Sequence, residues 1–525
     1  MIITLWDFQS LIRRLQDTYP RHTIPNLVFA AAATYLIWMT ANIILYRRKL
    51  SSFPNATSNQ GLFGIFSTKA RTAFITDCAN LVKRGFSMNQ TAFRLRTDHS
   101  EVIVLSSRLA EDIRSEKRLS AGKYTETELM GHIPGFEPLG FAGTHRKLMH
   151  DVITTRLNRV LPKMPNFVSN EASDVLKSSW TDDKSFHKVH LYQTALTLIA
   201  RVSILAFLGP DLCRNQRWVE INTQYTVVAL GAVNALRKWP RFLLPMVHWF
   251  HPQVRATRAL LNEARTILGP THEKRARELA AGKEAPSDAL TWFEELAQGQ
   301  PYSYDPTVAQ MTFTVASIHA TTDMFCQILL DLTKYPEIVE ALRKELLDVL
   351  KKNGWQQSSF SQLKLMDSVM KESQRLKPIS QVFNKRVATD DIKLDEDLQI
   401  PKGAYIVVSA NNMKDPETYP EPEVFDAYRF IKRAENPEYA RSSSFSSVSV
   451  DHTGFGFGNH ACPGRFYVTL ELKILLAHII LRYDWKLPDG YESKIFCNGF
   501  DTVTDMMAEI LVRRRAEEID VGLTC

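Results

Sequence analysis

Residues 455–465 read Phe-Gly-Phe-Gly-Asn-His-Ala-Cys-Pro-Gly-Arg. Phe455, Gly458, Cys462 and Gly464 form the pattern F-x-x-G-x-x-x-C-x-G. With 28 Phe, 22 Gly and 6 Cys in 525 residues, chance supplies that arrangement about 0.0006 times per chain of this size, so the stretch is read as a built site. Its residue types suit a cysteine thiolate that binds a metal axially. Such a sulfur has to be deprotonated, shielded from water and approached closely by main-chain N–H groups. Gly458 supplies the freedom for that approach. Pro463 removes a competing donor, and Gly464 opens a helix predicted from Phe466, Leu470, Ile474, Ala477 and Leu481, which places the sulfur near a positive helix end. Phe455 is predicted to cover the sulfur side. His460 is placed to donate to a carboxylate such as a haem propionate.

Two other readings compete: a structural cysteine in a glycine turn, and a metal site of another kind. Zinc needs about three or four clustered ligands. Here only His460 stands near Cys462, while Cys78, Cys213, Cys326, Cys497 and Cys525 are scattered singly. On these residues the chain resembles the cytochrome P-450 family of haem-thiolate monooxygenases, and His460-Ala461 is similar to its microsomal and fungal branches. The resemblance implies haem b, iron protoporphyrin IX, with Cys462 as axial thiolate. It also implies that O2 and electrons from an NADPH-cytochrome reductase oxidise a hydrophobic small molecule. Similarity to fungal enzymes of terpenoid, meroterpenoid and indole-diterpene biosynthesis makes a polycyclic terpenoid-type secondary metabolite the expected substrate.

Composition bounds the rest. Hydrophobic content of 45% and charged content of 23% belong to a globular protein and exclude disorder. Six unpatterned cysteines argue for a reducing compartment. A net charge of +7 is too dilute for nucleic acid and suits a basic docking face for an acidic protein or an anionic membrane. Residues 1–23 read as an amphipathic leader. Residues 24–46 carry no charge and are long enough to span a bilayer core, with Arg47, Arg48 and Lys49 as a basic stop. Residues 47–61 read as a linker and 62–525 as one large domain. The expected location is the endoplasmic reticulum membrane, single-pass, with the domain cytosolic and in contact with membrane lipid.

Periodicity predicts a mainly α domain with a minor β part. Helices are predicted near 108–116, 145–163, 168–180, 186–208, 214–237, 254–281, 305–334, 336–352 and 363–376. Strands are predicted at 101–106 and near 381–388, 393–394, 404–409 and 484–487. Ser442–Ser449 reads as a flexible surface insertion. Trp239–Phe250, WPRFLLPMVHWF, has no clear period. It reads either as a buried connection or, by the resemblance, as the segment that roofs the substrate pocket and dips into the membrane.

Glu372 and Arg375 share a helix face, as do Glu340 and Arg343. The following Leu376-Lys377-Pro378 selects the first pair, and Phe425–Phe430 resembles the family's loop that brings a second arginine, Arg429, to Glu372. Ala427 stands where proline is usual. This triad is expected to hold the haem-side loop rigid. Ala316–Thr322 resembles the family's A-G-x-(D/E)-T, but Ser317, His319 and Ala320 depart from it. Thr321, or water, is expected to replace the missing hydroxyl, with His319 as proton donor or hydrogen-bond organiser; the plainer reading is that both satisfy helix carbonyls. By the resemblance Arg146 and Arg386, with His145, stand where propionates are held; a solvated basic face is the other reading. A haem-thiolate isomerase or dehydratase, which needs no O2, and a non-catalytic haem-binding protein are the rival functions.

Overall fold

The computed structural model describes residues 23–57, 68–283, 286–298, 303–394 and 398–518. The predicted leader lies outside them. The central element is the helix Pro306–Leu332. Asp305 caps it, accepting from the N–H groups of Thr307 and Val308 at 2.8 and 3.2 Å, and Pro306 takes the first helical position, where its missing donor is harmless. Almost every side chain from Thr307 to Thr314 and from Thr321 to Leu330 is buried, because helices Leu191–Leu208, Gln216–Leu236, Pro252–Ala280 and Arg465–Arg482 pack around it. Leu191–Leu208 is long and predominantly apolar, with Arg201 paired to Glu171, yet two-thirds buried, a core helix.

The β part lies to one side. A five-stranded sheet runs in the order Ala92–Arg96, Glu101–Leu105, Tyr405–Ser409, Val382–Ala388, Leu119–Ser120. Its first two strands form an antiparallel hairpin, and Glu101–Leu105 lies parallel to Tyr405–Ser409. A second sheet joins His187–His190, Glu509–Arg514 and Tyr483–Lys486. The predicted helix 186–208 is corrected here. Residues His187–His190 are a strand paired with Glu509–Val512, and the helix starts at Leu191. Cross-strand bonds to a distant segment outweigh local helix propensity at HKVH. The predicted helix 145–163 is also interrupted: Arg146–Asp151 is α, Val152–Leu157 is a π-turn and Leu161–Lys163 is 3₁₀. Thr154 and Thr155 donate back to the carbonyls of His150 and Asp151, a contact that bends helices.

Three further expectations change. Ser442–Ser449 is anchored rather than loose. Phe445 is fully buried, and the buried ammonium of Lys371 donates to the carbonyls of Ser444 and Ser447, each at 3.0 Å. Trp239–Phe250 is no buried connection: it forms a 3₁₀ turn and the helix Leu244–Phe250, with Phe242 80% and Phe250 74% exposed. The first part of the expected linker is docked, since Leu50, Phe53 and Ala56 are buried and Ala56 and Pro54 exchange backbone bonds with Arg94. Before it, Thr23–Leu50 is one unbroken helix, and its Ile37, Trp38, Ile44 and Leu45 are exposed.

Candidate active site

The cysteine loop closes on itself. The N–H of Cys462 donates to the carbonyl of Phe455 at 2.8 Å, so the six-residue turn between them is fixed at its neck. Gly456 and Gly458 have φ of +75° and +71°, values that side chains rarely adopt. A Cβ on Gly458 would also stand 2.8 Å from the Cβ of Arg114. Gly464 is the N-cap of the helix Arg465–Arg482, as predicted from the spacing of its apolar residues. The N–H groups of Gly464 and Arg465 point at the sulfur. Burial pushes the thiol of Cys462 up, opposed by the Gly464 N–H, the charge of Arg465 and its N–H. Phe455 packs edge-on against Phe445, with ring centres 5.1 Å apart, so the anchored serine segment braces the loop.

Beside this loop three cationic or basic groups converge. Arg146 donates to the carbonyl of Asn459 at 3.0 Å. Arg386, buried, donates to the carbonyl of Lys385 and to Oδ1 of Asn384; its strand shifts register between Phe383 and Arg386. His460 ends the short 3₁₀ turn Gly458–His460. Burial, then Arg386 and Arg146, hold the His460 imidazole down to about 4. Burial and Arg146 likewise push Arg386 down to about 10. No carboxylate pairs with Arg146 or Arg386 among the described residues. His145 does not join them: it stacks on Phe141 with ring centres 4.3 Å apart and meets Thr144 Oγ1.

The long helix presents an opening near its middle. Ala316 is exposed and Ala320 half-exposed, one turn apart on one face, whereas Thr321, about 100° further round, is buried. Ala320, not Thr321, therefore fronts the open space. His319 bridges three helices. Its Nε2 meets the carbonyl of Thr223 at 3.0 Å and its Nδ1 meets Tyr192 Oη at 3.4 Å. Burial lowers its proton affinity. Ser317 donates to the carbonyl of Phe313.

The Glu372 site is complete. Arg375 donates through Nε and Nη2 to the two oxygens of Glu372, both at 2.8 Å, and Arg429 Nε donates to Oε1 at 3.0 Å. The arginines also reach the carbonyls of Met413, Pro422, Pro420 and Val424. One buried carboxylate thus pins two loops. The similarly spaced Glu340–Arg343 pair is different, because Glu340 is 68% exposed.

A sulfur facing two N–H groups, basic side chains without an anion, and small residues on an otherwise filled helix fit a flat, dianionic cofactor with an axial metal. The fold and this site define the class of haem-thiolate enzymes. The family model for Cytochrome P450 matches residues 142–505. Dideacetyl fusicoccin A C-19 hydroxylase of Phomopsis amygdali is 51% identical over 98% of both chains. Fusicocca-1,10(14)-diene-8beta,16-diol C-9 hydroxylase of the same organism is 50% identical over 95% of this chain and 98% of that one. The solved structure of retinoic acid-bound cyanobacterial CYP120A1 superposes with a TM-score of 0.65 at 19% identity, covering 88% of this chain and 99% of that one, so it supports the fold. The chain belongs to the cytochrome P450 family. It is a monooxygenase whose cofactor is haem on a cysteine thiolate, and it takes O2, a small-molecule substrate and electrons from a redox partner. The isomerase and non-catalytic alternatives give way.

Proposed function

We propose that this enzyme hydroxylates a hydrophobic terpenoid-type secondary metabolite, with Cys462 as the axial thiolate. The observation that carries the assignment of the site is the sulfur of Cys462 facing the N–H groups of Gly464 and Arg465, in a loop whose neighbours Arg146, Arg386 and His460 lack an anion among the described residues. When bound, haem supplies the oxygen-activating chemistry. The chain's residues do the rest. Gly464 and Arg465 would stabilise the thiolate, Phe455 would shield it, and Arg146, Arg386 and His460 would hold the cofactor's propionates. Glu372, Arg375 and Arg429 keep the loop beneath in place. Ala316 and Ala320 leave room on the substrate side.

With both ring nitrogens of His319 occupied and its proton affinity lowered, His319 acts as the organiser that fixes the helix, not as the donor. Water near Ala320 delivers protons, since Thr321 is buried off the open face. Electrons come from an NADPH-cytochrome reductase. Residues 24–46 anchor the chain in the endoplasmic reticulum membrane, the domain from 62 to 525 lies on the cytosolic side, and Trp239–Phe250 faces lipid. The two fusicoccane hydroxylases among the relatives favour a diterpenoid of that kind. Co-expression with a reductase and a panel of terpenoid scaffolds, including fusicoccane diols, is the test. Products heavier by one oxygen, dependent on NADPH and absent with Cys462→Ala, are expected. Turnover without reductase, or by the variant, would overturn the reading.

A further inference from the structure

A cavity of about 910 Å³ opens between the hairpin turn at Thr97–His99, the end of the helix Ala121–Leu129 and the segment Leu236–His248. Cys462 is not among its lining residues. Its two acids are already committed. His99 binds Asp98 at 2.7 Å through Nδ1 and Glu128 through Nε2, while Arg237 donates to the carbonyl of Glu128 at 2.9 Å and to its carboxylate at 3.3 Å. On the same wall stand Arg71, Lys238 and Arg241, none with an ion pair among the described residues. Arg96 also lines it. Burial lowers the proton affinity of Arg96, Glu101 opposes this, and Arg47 adds to the lowering. Phe242 stands apolar at the cavity edge, and with Met246, Trp249 and Phe250 further along the same segment it is more than half exposed.

We propose that this cavity binds the phosphate headgroup of an anionic phospholipid, whose acyl chains run along the exposed face of Trp239–Phe250. The proposal rests on the lipid-facing reading of that segment. Cations gathered around a concave opening repel one another, and an anion seated among them relieves them more strongly than it would on an open surface. A free phosphate answers the cations and leaves the rim bare; a neutral apolar compound answers the rim and leaves the cations. A phospholipid answers both.

Trp239 lines the cavity and reports on it. The full haem-loaded chain in phosphatidylcholine nanodiscs is titrated with dihexanoyl phosphatidic acid, dihexanoyl phosphatidylcholine or inorganic phosphate. The emission difference between the native chain and Trp239→Phe is followed. Phosphatidic acid is expected to act at concentrations about tenfold lower than either of the others. The double variant Arg71→Glu/Arg241→Glu, or the milder Lys238→Gln/Arg241→Gln, is expected to remove that preference and keep the long-wavelength carbon monoxide band. Equal responses to the two lipids, a response to phosphate as strong as to phosphatidic acid, or variants with the native preference would each overturn the site. Quenching by brominated phosphatidylcholine of the emission difference between the native chain and Trp239→Phe, which leaves out Trp38 in the anchor, separates the two readings. Quenching without a phosphatidic acid preference overturns the headgroup site alone, and no quenching in either lipid overturns the lipid-facing reading with it.

Discussion

Glu471, on the cysteine helix, has a fully buried carboxyl that accepts from Ser203 Oγ at 2.9 Å and Tyr467 Oη at 3.1 Å on one oxygen only. Its other oxygen has no partner among the described residues. Burial pushes its pKa up to about 8, partly offset by the two hydroxyls. A carboxyl raised in the fold contributes its full stability below its unfolded pKa near 4.5 and loses it as pH rises through about 8. The loss is on the order of 4 kcal/mol at most. Glu471→Gln should flatten this slope, so its unfolding midpoint should exceed the native one at pH 8 and match it near pH 5. Denaturant melts at both pH values check this. At the same scale, His319→Ala and Thr321→Ala should behave differently. With His319 as organiser, its loss lowers stability by about 1–3 kcal/mol through the orphaned Thr223 carbonyl and Tyr192 hydroxyl, whereas loss of Thr321, buried off the open face, leaves the coupling of electrons to product native; diversion to peroxide in Thr321→Ala would overturn water as the proton source. The ratio of NADPH consumed to product formed distinguishes the two outcomes.

The helix Lys364–Leu376 is where local sequence and tertiary purpose meet. Lys371, Glu372 and Arg375 are all buried, and each is satisfied by a loop that comes from far along the chain. Lys371 holds the serine segment at Ser444 and Ser447, and Glu372 holds Arg429. Glu372→Ala leaves two guanidinium groups buried without a carboxylate, a loss of about 3–5 kcal/mol. The expected result is a chain that expresses without its carbon monoxide band. Glu340→Ala, whose carboxyl is mostly in water, should change stability by under about 1 kcal/mol. Lys371→Met should loosen the serine segment specifically, and limited proteolysis should then cut near 442–449, a region the native chain protects.

Across the whole molecule the N-terminal helix is tied into the domain just after its apolar run. Removal of residues 1–46 keeps Leu50, Phe53 and Ala56 in their buried places and should yield a folded, soluble chain with weaker coupling to a membrane-bound reductase. Removal of residues 1–57 exposes the surface those side chains cover. Burying a large apolar side chain is worth roughly 1.5–3 kcal/mol, so the longer truncation should melt earlier and hold haem less well. Differential scanning of the two truncations against the full chain reads the difference.

The sequence alone determined the cysteine loop, the long central helix and the shared helix face of Glu372 and Arg375, while Arg429 was brought to Glu372 only by the family resemblance. Glycine geometry, helical period and residue spacing are local properties. It did not reveal the strand Glu509–Arg514 or the true start of Leu191–Leu208, because their partners lie far along the chain; the hairpin strand Ala92–Arg96 and the helix Thr68–Met88 also escaped it, although their backbone bonding is local. Nor could it say that Ser442–Ser449 is held by Lys371, that His145 turns away from Arg146, or that Ala320 rather than Thr321 meets the open space. Which face of a helix is covered, and which buried charge finds its counterpart, is decided only when distant segments pack, since burial and pairing are properties of the packed neighbours and not of the residue.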